Sequence, residues 1–465
     1  MTARIAAVGA FPLALCACTR PAPPRGSILL VTVDTLRADH LGCYGRAGAR
    51  TPAVDRFARE GTRFETALTP IPRTTPAVAS LLTGLWPASH QVRGLWSKLP
   101  ENVPTLAQWM RRRGARTAAF ASNIFLRPGS GFENDFEVYS NPKNRWDGDS
   151  AREVTDEALD WIVGLGARER FCLWVHYLDP HWTYDPSPPF DTLYDSSWSG
   201  PWPYARLTAG AREQGRVIFQ NPMTPREVEH TVALYDGEIA SIDAELGRLL
   251  DGLQRAGRLD STLIVLTSDH GESLGEHGYA FAHGEYLYEG TLRVPLIFRY
   301  PGRVPAGRTI TRMARLVDVV PTALALLGEP LPSGLDGRSL AGDIEGSADP
   351  AERECWIESD YELIHPENPR HYVPGFAGKW RGIRGERYKL IFIPRDKAGE
   401  RGDVELYDVA GDPAELHDLS RERPEIARAM LDRLRAWWTR AGIPPGASSG
   451  ETPPDIQSLH SLGYL

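Results

Sequence analysis

The chain has 465 residues, 42% of them hydrophobic, and a formal net charge of −8. That length buries a large core and leaves room for more than one domain. The acidic balance, with both signs well mixed, argues against a nucleic-acid binder, which normally carries a basic face.

In chain order, "MTARIAAVGAFPLALCACTRPAPPRG" carries one early arginine, Arg4, and then an apolar run from Ile5 to Ala17. The run is too short to span a bilayer as a helix and has the form of a secretory-signal core. Its end, Leu15-Cys16-Ala17-Cys18, resembles a bacterial lipoprotein cleavage box with Cys18 as the lipidated residue, and "TRPAPPRG" suits a short tether. The expectation is an exported lipoprotein of the periplasm or cell envelope. The remaining cysteines, Cys43, Cys172 and Cys355, have irregular spacing that fits neither a disulfide framework nor a zinc pattern.

A run from Ile28 to Val33 rich in β-branched residues predicts a strand buried on both faces, with Asp34 at its C-terminal end. A helix with Leu106 and Trp109 on one face follows, stopped by Gly114, then a strand from Thr117 to Ala121. Phe171 to His176 reads as a buried strand running into Asp-Pro-His. Leu234, Ile239, Ile242, Leu246, Leu249 and Leu253 recur at helical spacing in a long amphipathic helix that Gly257 ends. "STLIVLTSDHGE" is again a strand, with Asp269 and His270 just past its end. Strands alternating with helices predict an α/β fold with a large, mostly parallel central sheet flanked by helices. Polar residues gather after strand ends, the edge where such sheets build sites.

From about Pro350, short strands and a final helix predict a smaller C-terminal α+β domain. The expected organisation is residues 1–25 as signal and tether, 26–345 as catalytic domain, 346–441 as C-terminal subdomain and 442–465 as tail. Residues 186–223, rich in Pro, Trp, Ser and Gly, predict a long irregular insertion of the kind that forms lids and substrate walls. "HPENPRHYVPGF", near His365, is a second segment expected to shape the pocket.

Asp34, Asp269 and His270 lie at strand ends and Thr74 in a Pro-flanked loop. Two carboxylates, an imidazole and a hydroxyl suit one divalent cation better than a thiolate metal site does. "ILLVTVDTLRADHLGCYG", "TPAVDRFAREGTRFETA", "ASLLTGLWPASH", "TSDHGESLGEHG" and "LYEGTLRVPLIF" together resemble the sulfatase family of the alkaline phosphatase superfamily. "YKLI" and "ELYDVAGDPAELHDL" resemble that family's C-terminal domain, so the resemblance runs from about Ser27 to Leu419.

The resemblance implies a metal at the strand C-termini, with Asp34, Thr74, Asp269 and His270 as ligands and Thr74 in the nucleophile position. One metal is expected: manganese is favoured, with calcium, magnesium or zinc as alternatives. Sulfatases usually carry a second Asp where Thr35 stands and often Asn where His270 stands. The set found here is closer to the superfamily's threonine-dependent phosphotransferases and phosphodiesterases, of which lipoteichoic acid synthase is one. The nucleophile motif continues Pro76-Ala77-Val78, without the family's arginine, and Asn123 stands near a lost lysine. His181 matches the family histidine that contacts the anion, and His283 replaces a second lysine. Catalytic roles are therefore expected for Thr74, His181 and His283, and substrate contacts for Arg73 and Asn123.

Sulfatases convert the motif cysteine to formylglycine, whose second hydroxyl drives sulfate release. Thr74 has one hydroxyl, which a metal can activate for attack. The ester so formed must be hydrolysed or transferred at the central atom, a route that suits phosphorus better than sulfur. A phosphate monoester brings about two negative charges, a diester one. With two cations of the family pattern missing, and Arg73, Arg37 or Arg93 left to compensate, a singly charged phosphodiester or phosphonate monoester is expected. The partner is an anionic ester on a glycan, lipid or small molecule. The alternatives are a genuine sulfuric ester hydrolase and an anion-binding pseudoenzyme.

Overall fold

A nine-stranded sheet forms the centre of the computed structural model, which describes residues 26–141, 150–201, 223–278, 280–347, 351–359, 380–394 and 402–442. The signal segment, the tail beyond Gly442, residues 202–222 of the insertion and "HPENPRHYVPGF" lie outside the described residues. The strands are β1 (Ser27–Val33), β2 (Thr62–Leu68), β3 (Arg116–Ala121), β4 (Val138–Ser140), β5 (Phe171–Tyr177) and β6 (Thr262–Ser268). The short pair β7 (Ser273–Leu274) and β8 (Ala280–Ala282) precedes β9 (Arg293–Arg299), β10 (Arg308–Ile310) and β11 (Ala314–Arg315). The sheet order is β10-β2-β9-β6-β1-β5-β3-β4, with β11 also beside β2. Only β9 runs against its neighbours, so the expected mostly parallel sheet is present.

β1, β5 and β6 are buried along their whole length because helices cover both faces. The helix Pro225–Arg255 packs Leu234, Ile239, Ile242, Leu246, Leu249 and Leu253 on one face. Thr224 and Glu227 form a reciprocal capping box at its start. The helix Thr74–Thr83 lies in the other layer, with Val78, Leu81 and Leu82 in its core. The predicted helix near Leu106 is short, Leu106–Arg111, and buries Leu106, Ala107 and Met110 while Trp109 is half-buried.

The strands β12 (Cys355–Glu358), β13 (Arg381–Arg384), β14 (Tyr388–Pro394) and β15 (Gly402–Asp408) form a separate antiparallel sheet. The helix Pro424–Arg440 covers it through Met430, Leu434, Trp437 and Trp438. The two units are tied together: Glu358 pairs with Arg93, and its N–H donates to the Pro70 carbonyl at 3.0 Å. Cys43, Cys172 and Cys355 are free thiols. No helix among the described residues is long and apolar enough to cross a membrane.

Candidate metal and ester site

Four neighbouring strands, β6, β1, β5 and β3, deliver the site. The register sets Thr32 opposite His176 and Val33 opposite Ser268, so Asp34, His176 and Asp269 meet at the C-terminal edge. Asp34, His176, Asp269 and His270 are each 0% exposed. One ligand atom from each of Asp34, His176 and Asp269 lies within 4.8 Å of the others. His176 Nε2 is 3.4 Å from Asp34 Oδ2. His270 Nε2 is 3.7 Å from Asp34 Oδ1 and 3.5 Å from Asp269 Oδ2. Such separations are those of ligand atoms bound at about 2.1 Å around one cation.

Asp34, His176 and Asp269 present ligand atoms to one another, and His270 adds its Nε2 beside the two carboxylates. Asp34 Oδ1, Asp269 Oδ2 and His176 Nε2 are buried without a hydrogen-bond partner. The His270 Nδ1–H donates to the Gly271 carbonyl at 2.9 Å, which leaves Nε2 as the lone-pair atom. Thr32 Oγ1 receives the Trp174 indole N–H at 2.9 Å and donates to the Val175 carbonyl at 3.2 Å. With its proton committed, Thr32 accepts from His176 Nδ1–H at 2.8 Å, which leaves His176 Nε2 facing the carboxylates.

Burial pushes the Asp34 carboxyl well up, against the lowering hydrogen bond from Asn123. Burial and then the charge of Asp34 push Asp269 well up. Burial holds His176 down at about 4 and, with His283 beside it, His270 well below its ordinary value. Two desolvated carboxylates facing two neutral imidazoles fit a divalent cation, which offsets the repulsion. The mixed oxygen and nitrogen set suits manganese, iron or zinc better than calcium, which prefers six to eight oxygens.

Thr74 opens the helix that follows the loop after β2, at the positive end of its dipole. Its Oγ1 lies 3.4 Å from His270 Nε2, which places the hydroxyl beside the candidate ligands. Thr75 Oγ1 donates to the Leu95 carbonyl at 2.7 Å and pins the turn. At the far end Gly84 takes a left-handed φ of 72°, where a Cβ would also crowd Val320.

The substrate-side residues divide. His283 lies with its ring centroid 4.3 Å from that of His270 and 5.0 Å from that of His181. His181 Nδ1 donates to the Trp182 carbonyl at 2.7 Å. Arg73 NH1 donates to the His283 carbonyl at 3.4 Å; burial holds His181, His270 and His283 below the ordinary histidine value, and the Arg73 charge adds to that. Arg37 instead pairs with Asp39 and Glu276 at 2.8 and 2.6 Å, and Arg93 with Glu358, so these two cations are committed to structure. Asn123 Nδ2 donates to Asp34 Oδ2 at 2.6 Å, which makes it a holder of a ligand carboxylate.

The sequence pattern passed over His176, Glu272 and Tyr184. The signal for His176 was its place at the end of an apolar strand, the same place that marked Asp34 and Asp269. His90, His40 and His277 have structural partners. His90 bonds Ser80 at 2.9 Å, His40 bonds Asp236 at 2.6 Å and His277 stacks on Tyr288.

Gly271 sets the position of the whole ligand turn. A Cβ there would lie 2.1 Å from the Gly290 carbonyl oxygen, a backbone atom that cannot swing aside. Gly271→Ala is expected to destabilise the fold by about 1–3 kcal/mol and to weaken metal binding by displacing His270. Thermal unfolding and a metal titration check both effects; a variant with unchanged values would show that the turn has slack.

A mostly parallel sheet with a buried hydroxyl, two imidazoles and two carboxylates at its C-terminal edge is an arrangement suited to metal-assisted ester hydrolysis. Residues 27–329 match the family model described as Sulfatase, and residues 275–438 the one described as N-sulphoglucosamine sulphohydrolase, C-terminal. The chain belongs to the sulfatase family and is an enzyme of ester substrates. An N-acetylglucosamine-6-O-sulfatase of Bacteroides thetaiotaomicron is 25% identical over 489 residues, covering 88% of this chain and 85% of its own. A structure solved with its substrate D-glucosamine-2-N,6-O-disulfate superposes with TM-score 0.75 at 21% identity, covering 92% of this chain and all of the other. A phosphonate monoester hydrolase of Agrobacterium radiobacter gives 0.72 at 23% identity over 90% of this chain and 96% of its own. The two structural likenesses carry the fold; the family matches carry the class.

Proposed function

We propose that the protein hydrolyses or transfers a singly charged phosphoryl ester, a phosphodiester or phosphonate monoester, with Thr74 as nucleophile. The observation that carries this reading is the single buried hydroxyl of Thr74 beside His270 Nε2 at the ligand cluster. Asp34, His176, Asp269 and His270 would hold a divalent cation, which when bound would supply Lewis-acid polarisation of the ester and favour ionisation of the Thr74 hydroxyl.

Thr74 Oγ1 attacks phosphorus in line as the bond to the leaving oxygen breaks. His283, or His181 beside it, passes a proton to that oxygen. Water or an acceptor hydroxyl then attacks the Thr74 adduct, returns a proton to the imidazole and frees the Thr74 oxygen. Arg73 faces the negative charge of the ester. Among the described residues, Arg37 and Arg93 are engaged by carboxylates, which favours an ester of low charge.

The test is turnover of nitrophenyl phosphate, a bis-ester of phosphate, a phosphonate monoester and nitrophenyl sulfate by the purified protein with manganese. Diester or phosphonate turnover well above the other two supports the reading. Faster phosphate monoester turnover overturns the charge argument. The second reading, a genuine sulfatase, is favoured by the sulfatase names of several relatives, and sulfate turnover as the dominant activity establishes it. Metal binding without turnover of any ester leaves an anion-binding pseudoenzyme. The same proposal keeps residues 1–25 as an export signal with Cys18 lipidated, and loss of palmitate labelling in Cys18→Ala tests that part.

A further inference from the structure

One carboxylate in the site has no place in the reaction as described. Glu272 is 0% exposed, in the turn between His270 and β7. Its Oε1 lies 3.0 Å from His283 Nδ1, and its Oε2 accepts from the Tyr184 hydroxyl at 3.1 Å. Its backbone carbonyl accepts from Arg37 NH1 at 3.1 Å, and Arg37 is held in turn by Asp39 and Glu276. Tyr184 is buried edge-on between Tyr235 and Phe281. The carboxylate is thus fixed at its backbone and at both oxygens. Burying a carboxylate is costly without such partners, and one of these partners is a residue of the reaction itself.

We propose that Glu272 is the positioning residue of His283. Its Oε1 accepts the Nδ1–H, which selects one tautomer and one ring orientation and leaves Nε2 as the atom that exchanges protons with the ester. The His283 ring centroid lies 4.3 Å from that of His270 and 5.0 Å from that of His181, so the ring neighbours the ligand cluster, and proton exchange is assigned to Nε2, the nitrogen that Glu272 does not hold. Nε2 first takes the proton of the Thr74 hydroxyl; in the first step that Nε2–H bond breaks and a bond from hydrogen to the leaving oxygen forms, as the Thr74 oxygen bonds phosphorus and the P–O bond to the leaving group opens. In the second, attacking water gives a proton back to Nε2 as its oxygen bonds phosphorus and the bond from phosphorus to Thr74 oxygen breaks. The Nδ1–H···Oε1 bond persists through both steps, and one water is consumed per ester. Tyr184 keeps the second carboxylate oxygen from competing for the ring.

This inference rests on the reading of His283 as the proton donor. A proton donor matters most when the leaving group is poor, and that gives a signature a merely structural role lacks. Phosphonate aryl esters with leaving groups from nitrophenol to phenol are assayed at fixed pH with manganese, using the full chain and its variants Glu272→Ala, Glu272→Gln and His283→Ala. The expected result for Glu272→Ala is about a 100-fold loss of kcat on the phenyl ester and less than about 10-fold on the nitrophenyl ester, with KM little changed. Glu272→Gln, which retains an acceptor oxygen, recovers a large part of the loss, and His283→Ala reproduces the steeper leaving-group dependence. Steepening in His283→Ala with a uniform loss in Glu272→Ala overturns the inference and leaves the role of His283 intact. No steepening in His283→Ala overturns the reading of His283 and the inference with it. Where Glu272→Ala does not fold or lacks stoichiometric manganese, Tyr184→Phe takes its place: a steepened dependence supports the inference and an unchanged one overturns it.

Discussion

Thr74→Ala is expected to lower kcat by at least about 1,000-fold on whichever ester the protein turns over best, with folding and most metal affinity retained. Thr74 is 1% exposed and opens a fully buried helix, so its truncation leaves a small void rather than an unpaired charge. The four other ligand groups have anchors besides Thr74: Asn123 holds Asp34, Thr32 holds His176, the His270 backbone N–H holds Asp269 and the Gly271 carbonyl holds His270. What is lost is the attacking oxygen and the two-step path through a covalent adduct. Mass spectrometry of acid-quenched wild-type protein on a slow substrate should find a phosphoryl group on the Thr74 peptide, absent from the variant. Thr74→Ser, which retains a hydroxyl, should keep measurable turnover and form the adduct. Retention of a tenth or more of the activity by Thr74→Ala would mean that water attacks the ester directly and that Thr74 only helps to hold the metal.

The backbone of this site was legible because burial leaves a strong trace. Ile28 to Val33 and Phe171 to His176 are apolar apart from Thr32 and His176, and they fold as β1 and β5 with one residue of difference at an end. A polar residue that ends such a run must stand at the sheet edge, which is how Asp34 and Asp269 were found. The long helix was legible from its apolar spacing alone. His176 was not distinguished from an ordinary buried histidine, because what makes it different is the hydroxyl of Thr32, 144 residues away in the chain. Glu272 gave no signal either, since its partner Tyr184 is 88 residues distant. Arg37 and Arg93 read as free cations until their carboxylates came into view. Chain distance hides pairing, and the chemistry of a buried side chain is decided by its pair.

His176→Ala is expected to weaken manganese binding at least about 100-fold, more than loss of an outer-shell partner typically costs. Its Nε2 is buried with no hydrogen-bond partner and lies 3.4 Å from an Asp34 oxygen. A packing histidine in that place would leave a bare nitrogen against carboxylates, an arrangement that burial disfavours. Removing it takes a neutral nitrogen donor from a set otherwise made of carboxylates, a hydroxyl and His270, and so shifts preference away from manganese or zinc toward calcium and magnesium. Titration of the metal-free protein with manganese and calcium in parallel reads that shift directly. Stability gives an independent readout: a ligand at 100 times its dissociation constant stabilises the folded state by about 2.7 kcal/mol. Manganese should therefore raise the unfolding temperature of the wild type, and chelator should reverse it, while both have little effect on His176→Ala at the same concentration. Thr32→Val, which leaves His176 in place but removes the acceptor of its Nδ1–H, should fall between the two, because a ring free to change tautomer spends part of its time with the lone pair turned away from the metal. Wild-type affinity in both variants would assign the metal to Asp34, Asp269, His270 and Thr74 alone and make His176 part of the core.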